Sequence, residues 1–144
     1  MTRRTAALAA FVLVAMAAPL LAPYAPDALD LANRRAAPSF AHPFGTDDLG
    51  RDAFSRALFG GRVSVAIGVL AALVAVSVGV AVGAVAGYAR GWADTVLMRV
   101  TDAALAMPRL LVLMVAAATL QPGVAALVVL VGAVGWMETA RVTR

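Results

Sequence analysis

VSVAIGVLAALVAVSVGVAVGAVAGYA, residues 63 to 89, runs for 27 residues between Arg62 and Arg90 without a charge. At 1.5 Å of rise per residue it makes a helix of about 40 Å, enough to cross a hydrocarbon layer of about 30 Å with room for tilt. Twelve side chains between Val63 and Tyr88 are Val, Ile or Leu. At about −0.3 to −0.6 kcal/mol each, they favour insertion by roughly −4 to −7 kcal/mol. The chain must therefore be read as one built round a bilayer. Along one face, at four-residue spacing, stand Ala71, Ala75, Gly79, Gly83 and Gly87. Such a row lets two helix backbones approach closely, so it is expected to be a helix-packing seam, although the sequence does not name the partner helix. A chain rich in Ala and Gly also produces such rows by chance.

Composition agrees with the membrane reading. Of 144 residues, 62% are apolar and the mean hydropathy is +0.89, against about 45–50% apolar usage in soluble domains. There is no cysteine, which excludes disulfides, a thiol nucleophile and thiolate metal sites. All twelve basic residues are Arg and the net charge is +4. In a membrane chain this balance sets orientation; nucleic-acid binding would need a basic patch with stacking aromatics.

Two further apolar regions flank this span. Residues 5 to 26 follow Arg3 and Arg4 without a charge. The basic start and the small residues at 15 to 18 fit a secretory signal, but the chain beyond stays as hydrophobic, which favours an uncleaved first helix over residues 1–23. Pro19, Pro23 and Pro26 are expected to end it. The charge-free run from 110 to 137 is interrupted by Gln121, Pro122 and Gly123, a turn signal that leaves either a helical hairpin or one kinked span. Charge favours the hairpin: two spans return Arg141 and Arg144 to the side of Arg90, Arg99 and Arg109. The expected architecture is an all-α membrane protein of about four transmembrane helices, at about 1–23, 63–88, 103–120 and 123–140. Both ends lie inside, with residues 24–62 outside. The third helix takes in Arg109, whose burial at mid-membrane would cost up to about 3 kcal/mol, so that residue belongs near the inner interface or against protein.

The outer segment holds the one long polar passage, HPFGTDDLGRDAFSRALFGGR, residues 42 to 62. Gly45 and Gly50 permit backbone angles closed to other residues, while Thr46, Asp47 and Asp48 are turn and helix-capping types. Ala53, Phe54, Ala57 and Leu58 recur at helical spacing, with Asp52 early and Arg56 late, in the order a helix dipole prefers. The expectation is a polar turn followed by a short amphipathic, interfacial helix that Gly60 and Gly61 end.

Rival chemistry finds little support. His42, the one histidine, stands near Asp47, Asp48 and Asp52, but the ligand alternation of a calcium loop is missing and the bland reading is a solvated turn. Ser55, Ser64 and Ser77 have no base arranged for them, and no phosphate loop precedes a helix. No catalytic, cofactor or metal residue is assigned. Asp94, Arg99 and Asp102 read as a solvated or interfacial helix face on the inner side.

HPFGTDDLGRDAFSRALFGGRVSVAIG (42–68), GYARGWADTVLMRVTDAALAMPRLLVLMV (87–115) and GWMETARVTR (135–144) together resemble the permease subunits of bacterial ABC importers for dipeptides, oligopeptides and nickel. The match is nearer to the second permease of the pair. It runs from about residue 40 to the end, with a compatible first helix, and His42, Pro43, Phe44, Gly45, Thr46, Asp47, Gly50, Arg51 and Asp52 carry its outer-loop motif. The resemblance implies a multi-pass protein of the bacterial plasma (inner) membrane. Its partners would be a second permease subunit, cytoplasmic ATPase subunits, an extracytoplasmic solute-binding protein and membrane lipid, with no nucleic acid and no enzyme activity. No cofactor is expected on this chain, ATP being held by partner subunits. The family continues beyond such a C-terminal segment into a cytoplasmic coupling loop and two more helices, so residues 63–144 are expected to form a partial transmembrane domain, truncated before that loop. The function expected is that of a permease component for peptides or similar small solutes, the alternative being a membrane-inserted fragment that couples to no ATPase.

Overall fold

The computed structural model describes residues 3–120 and 123–144. Its elements are helices α1 (Arg3–Met16), α2 (Ala18–Leu21), α3 (Ala53–Ala89), α4 (Gly91–Leu105), α5 (Arg109–Leu120) and α6 (Val124–Thr143), with a 3-10 turn at Leu31–Asn33. No strand occurs among the described residues, only an isolated bridge between Thr46 and Asp52. The chain forms two compact units, Met1–Ala66 and Ile67–Arg144. By length and composition α3 and α6 can each cross a membrane, and the pair α4–α5, bent by 76°, makes up to a third span.

In the first unit the expected crossing at 1–23 is divided. α1 spans 14 residues, about 21 Å at 1.5 Å per residue and short of a 30 Å layer. Pro19 falls at the start of α2 instead of ending α1, because a first-turn position needs no N–H and suits the fixed φ of proline. Residues 22–52 are irregular apart from the 3-10 turn. The second correction concerns Gly60 and Gly61, which were expected to stop a short helix. α3 passes through both as one helix of 37 residues. Two glycines cost a helix about 1 kcal/mol each relative to Ala, whereas a break there would strand about four carbonyls at the end of one helix and about four N–H groups at the start of the next. Gly61 also lies against α1, where a Cβ would sit 3.7 Å from Phe11 Cζ and 3.8 Å from Ala15 Cβ.

In the second unit α4 and α5 both pack on α6. The expected helix at 103–120 is instead two helices meeting at Ala106–Pro108. Pro108 offers no N–H and disfavours helical geometry in the residue before it, so α4 ends at Leu105 and α5 starts at Arg109. The expected helix at 123–140 is α6, with Gly123 as its N-cap in extended geometry. Gln121 and Pro122, the core of the expected turn, lie outside the described residues.

α3 and α6 meet through small residues. A Cβ built on Gly132 would lie 3.1 Å from the Ala71 carbonyl, and one on Gly135 would lie 3.0 Å from Ala75 Cβ. A Cβ on Gly79 would come within 2.6 Å of the Trp136 carbonyl, one on Gly83 within 2.5 Å of the Ala140 carbonyl, and one on Gly87 within 2.9 Å of the Arg144 carbonyl. Residue numbers rise together along both helices, so they run parallel. The chain between them must accordingly return to its starting level, and α4 and α5 make that return.

Candidate functional site

Two constellations hold the residues that the sequence singles out. In the first unit, residues 42–52 form a hydrogen-bonded loop around two carboxylates. Asp47 is one hub. Its Oδ1 accepts from the backbone N–H of Leu49 at 2.8 Å and of Arg51 at 2.9 Å, and its Oδ2 accepts from Arg51 Nε at 2.8 Å and from Arg56 Nη1. Partial desolvation pushes its carboxyl up. The N–H groups of Arg51 and Leu49 and the Arg51 guanidinium outweigh that and hold it at about 2. Asp52 is the other hub, and it is buried. It caps α3 by accepting from the Ser55 N–H at 2.7 Å, and its Oδ1 meets His42 Nδ1 at 2.9 Å. Burial pushes this carboxyl up too, but the Ser55 and His42 hydrogen bonds win and keep it below its ordinary value.

The other motif residues fix the loop's path. Gly45 and Gly50 have φ of 73° and 77°, the left-handed region that disfavours side chains. A Cβ on Gly50 would fall 1.7 Å from the Asp30 carbonyl oxygen, and one on Gly45 would fall 2.5 Å from that of Ala36. Thr46 Oγ1 accepts from the Ala36 N–H at 2.8 Å and donates to the Asn33 carbonyl. Phe44 packs edge-on against Phe54 at 5.1 Å, and Pro43 sits with Pro38, Ser39 and Phe40 around a shallow surface hollow.

Several participants carry no sequence signal. Tyr24 stacks on His42 at 4.9 Å and gives its N–H to the fully buried Ser55 hydroxyl at 3.3 Å. Asp30 caps the 3-10 turn through the Ala32 N–H and accepts from Asn33 Nδ2 at 2.8 Å. Tyr24, Asp30, Asn33 and His42 line a cavity of about 280 Å³ with Gly50 and Asp52. Its carboxylates are engaged by Asn33, Ala32, His42 and Ser55, contacts that shape the loop. Among the described residues no group of three or more His, Asp or Glu could hold a metal ion.

The second constellation is the α3–α6 seam with the charged end beside it. Ala71, Ala75, Gly79, Gly83 and Gly87 all face α6. The facing positions, Gly132, Gly135, Trp136, Thr139, Ala140, Thr143 and Arg144, were not legible beforehand. Towards the C-terminal end of α6, Arg144 pairs with Asp94 and Arg141 with Asp102, while Arg109 Nη2 meets Glu138 at 2.8 Å. α6 thus holds both arms of the elbow, α4 through its acids and α5 through its first residue. Arg109, which the sequence places at an interface or against protein, has an anionic partner. Exposed ion pairs contribute about 0–1 kcal/mol each in water, more where water is scarce.

Comparison with known proteins fits this geometry. Residues 79–144 match the family of the binding-protein-dependent transport system inner membrane component. The dipeptide transport system permease protein DppC of Bacillus subtilis is 37% identical over 131 residues, 91% of this chain and 41% of that protein. The oligopeptide transport system permease protein OppC of the same species is 36% identical over 133 residues, 92% of this chain and 44% of its own length. The glutathione transport system permease protein GsiD of Escherichia coli O6:K15:H31 is 40% identical over 134 residues, again 92% and 44%. The chain spans about two-fifths of the length of the curated relatives it matches. Residues 79–144 thus carry the pattern of that inner membrane component family, and nearly the whole chain is similar to about two-fifths of the length of peptide permeases; with its apolar helices this indicates a multi-pass protein of the bacterial inner membrane.

Proposed function

We propose that this chain forms part of the permease of an ATP-driven importer for peptides or similar small solutes. Its partners would be a second permease subunit, cytoplasmic ATPases and an extracytoplasmic binding protein, with ATP held by the ATPases. The observation that carries the reading is the 34–40% identity to peptide-transport permeases along most of the chain. In this reading the parallel pair α3–α6 is a rigid two-helix unit of the permease wall, α4–α5 returns the chain between them, and residues 24–52 form a folded extracytoplasmic loop. α1 is too short to cross by itself, but α1 and α2 together give an N-terminal crossing within 1–23, which makes four in all with both ends cytoplasmic. The parallel course of α3 and α6 supports this topology, as do the ion pairs that bring Arg141 and Arg144 to the end where Asp94 lies. That end carries the arginines expected on the cytoplasmic side.

The test of function is reconstitution of the gene product with its paired permease, ATPases and binding protein in vesicles, with peptide accumulation as the readout. ATP-dependent uptake that vanishes when this chain is omitted is expected. No such dependence, with every partner present and the chain inserted, overturns the proposal and leaves a membrane-inserted chain without coupling. Reporter fusions after residue 40 and after Arg144 test the topology. A reporter at Arg144 that is active outside the cytoplasm refutes it.

A further inference from the structure

We infer that α4 is an in-plane interfacial helix that rests on an anionic lipid leaflet through Trp92, Val96, Val100 and Arg99. The inference rests on the reading of α3 and α6 as crossing helices. α5 begins against Glu138 of α6 through Arg109 and ends at Leu120, close in sequence to Val124 where α6 begins, so it runs antiparallel along α6; α4 is bent from α5 by 76°, so with α6 spanning the bilayer α4 lies close to its plane. The side chains of α4 suit that setting. Met98 and Thr101 are buried, and Asp94 and Asp102 are held by Arg144 and Arg141 of α6. On the far side Trp92, Val96 and Val100 are all exposed. At 3.6 residues per turn they share an arc of about 80° with Ala103. Arg99 lies at the edge of this arc and is exposed, and exposed Thr95 follows beyond it.

An apolar stripe bounded by an arginine, on a helix whose opposite face is already packed, is the pattern of a helix lying in the headgroup region. Two large aromatics mark the depth. Trp92 and Tyr88 are 80% and 93% exposed, and amphipathic rings of this kind concentrate at the membrane–water boundary. Charge selects the lipid. With both acids of α4 neutralised by α6, Arg90 and Arg99 give this surface a positive sign that complements phosphatidylglycerol and other anionic headgroups. Lipid is favoured over a protein partner because α4 follows directly on α3, a helix long and apolar enough to cross the bilayer, whose last residues include the exposed Tyr88, and because the sign of Arg90 and Arg99 complements an anionic leaflet.

The experiment uses the whole chain in vesicles. Trp92 and Trp136 are its two tryptophans, so in a Trp136→Phe background the fluorescence reports α4 alone. Vesicles carry phosphatidylcholine or phosphatidylglycerol brominated either near the headgroup or deep in the acyl chain. Shallow bromines are expected to quench Trp92 more than deep ones, and brominated phosphatidylglycerol more than brominated phosphatidylcholine. Arg90→Gln with Arg99→Gln should abolish the preference for phosphatidylglycerol, which amounts to about fivefold per arginine, and leave shallow quenching in place. Strongest quenching by deep bromines, or none from either depth, overturns the inference, the second outcome meaning that protein or water covers the stripe. Val78→Trp, in a chain with both native tryptophans changed to Phe, is the control for crossing. Deep quenching there beside none at Trp92 sinks the α4 placement alone, whereas shallow quenching at position 78 sinks the crossing reading and this inference with it.

Discussion

Replacing Gly83 by Leu should separate α3 from α6 without expelling either from the bilayer. Even the first carbon of a side chain has no room: a Cβ at Gly83 would lie 2.5 Å from the Ala140 carbonyl oxygen and 2.9 Å from Thr143 Cβ. The obstacle at Ala140 is backbone, which cannot rotate aside. Restoring ordinary contact moves the helices apart by about 1 Å for Ala and further for Leu, and overpacking of this kind costs about 1–3 kcal/mol. That is a factor of about five to 150 in the balance between packed and separated helices. Insertion goes the other way, since Leu at a helix centre favours the bilayer by about 0.3–0.6 kcal/mol. The assay can exploit the absence of cysteine from the chain. Ala75→Cys with Gly135→Cys places two sulfurs where a built Cβ on Gly135 lies 3.0 Å from Ala75 Cβ, slightly inside the usual disulfide span of about 3.5–4.5 Å. Oxidation should link α3 to α6 rapidly in this background and at least several-fold more slowly once Gly83→Leu is added. Gly68→Leu is the matched control, because a Cβ there meets nothing within 4 Å. Equal crosslinking with and without Gly83→Leu would refute the steric argument and return the small-residue row to compositional accident.

Three further outcomes concern the loop. Gly50→Ala should open residues 24–52 to limited proteolysis, because the new Cβ meets the Asp30 carbonyl at 1.7 Å in a backbone of φ 77°, with strain of about 1–3 kcal/mol before the clash is counted; an unchanged digestion pattern would contradict it. Asp52→Ala should destabilise the same unit by about 1–3 kcal/mol through the lost α3 cap and the unpaired His42 ring. Asp52→Asn, which keeps an acceptor for the Ser55 N–H, should cost less, and proteolysis rates of the two variants rank them. Acid should loosen the loop in a defined window. The carboxyl of Asp47 is held at about 2 against an ordinary 3.8, so its contribution is full above about pH 4 and lost as pH falls through about 2. Asp47→Asn should remove that acid-dependent step, as followed by proteolysis or fluorescence across the titration.

How much of this was legible follows from where the information sits. The span at 63–89 and the small-residue row are periodic features of one segment, and periodicity is what a sequence displays. Gly45 and Gly50 were readable as turn residues for the same local reason. Their partners were not: Asp30, Ala36 and Tyr24 meet the motif from 9 to 31 positions away, by hydrogen bonds or carbonyl contacts that residue type does not announce. The missed break in the third helix has a different cause. Residues 103–120 read as one helix, because the stretch Ala103–Met107 is apolar enough to suit a helix on either side of Pro108, whereas α4 ends at Leu105 and α5 begins at Arg109.

The seam shows why half of a helix–helix contact can be read and half cannot. On α3 the close approach requires missing side chains, so the requirement is written as Ala and Gly at strict spacing. Towards the end of α6 the atoms met by Gly79, Gly83 and Gly87 include the backbone oxygens of Trp136, Ala140 and Arg144, with the Thr139 and Thr143 side chains beside the first two. Any residue type supplies a carbonyl, so these α6 positions can carry Trp and Arg side chains turned elsewhere. At Gly79, Gly83 and Gly87 the small side of α3 wedges onto backbone as well as the Thr139 and Thr143 side chains, and that places constraint unequally. Substitutions at Gly79, Gly83 and Gly87 should disturb the pair through sterics whatever their polarity, whereas at Trp136 a change of side chain leaves the carbonyl in place. Trp136→Phe should therefore preserve the Ala75→Cys/Gly135→Cys crosslink, and its loss would mean that the indole, more than the backbone, holds α6 against α3.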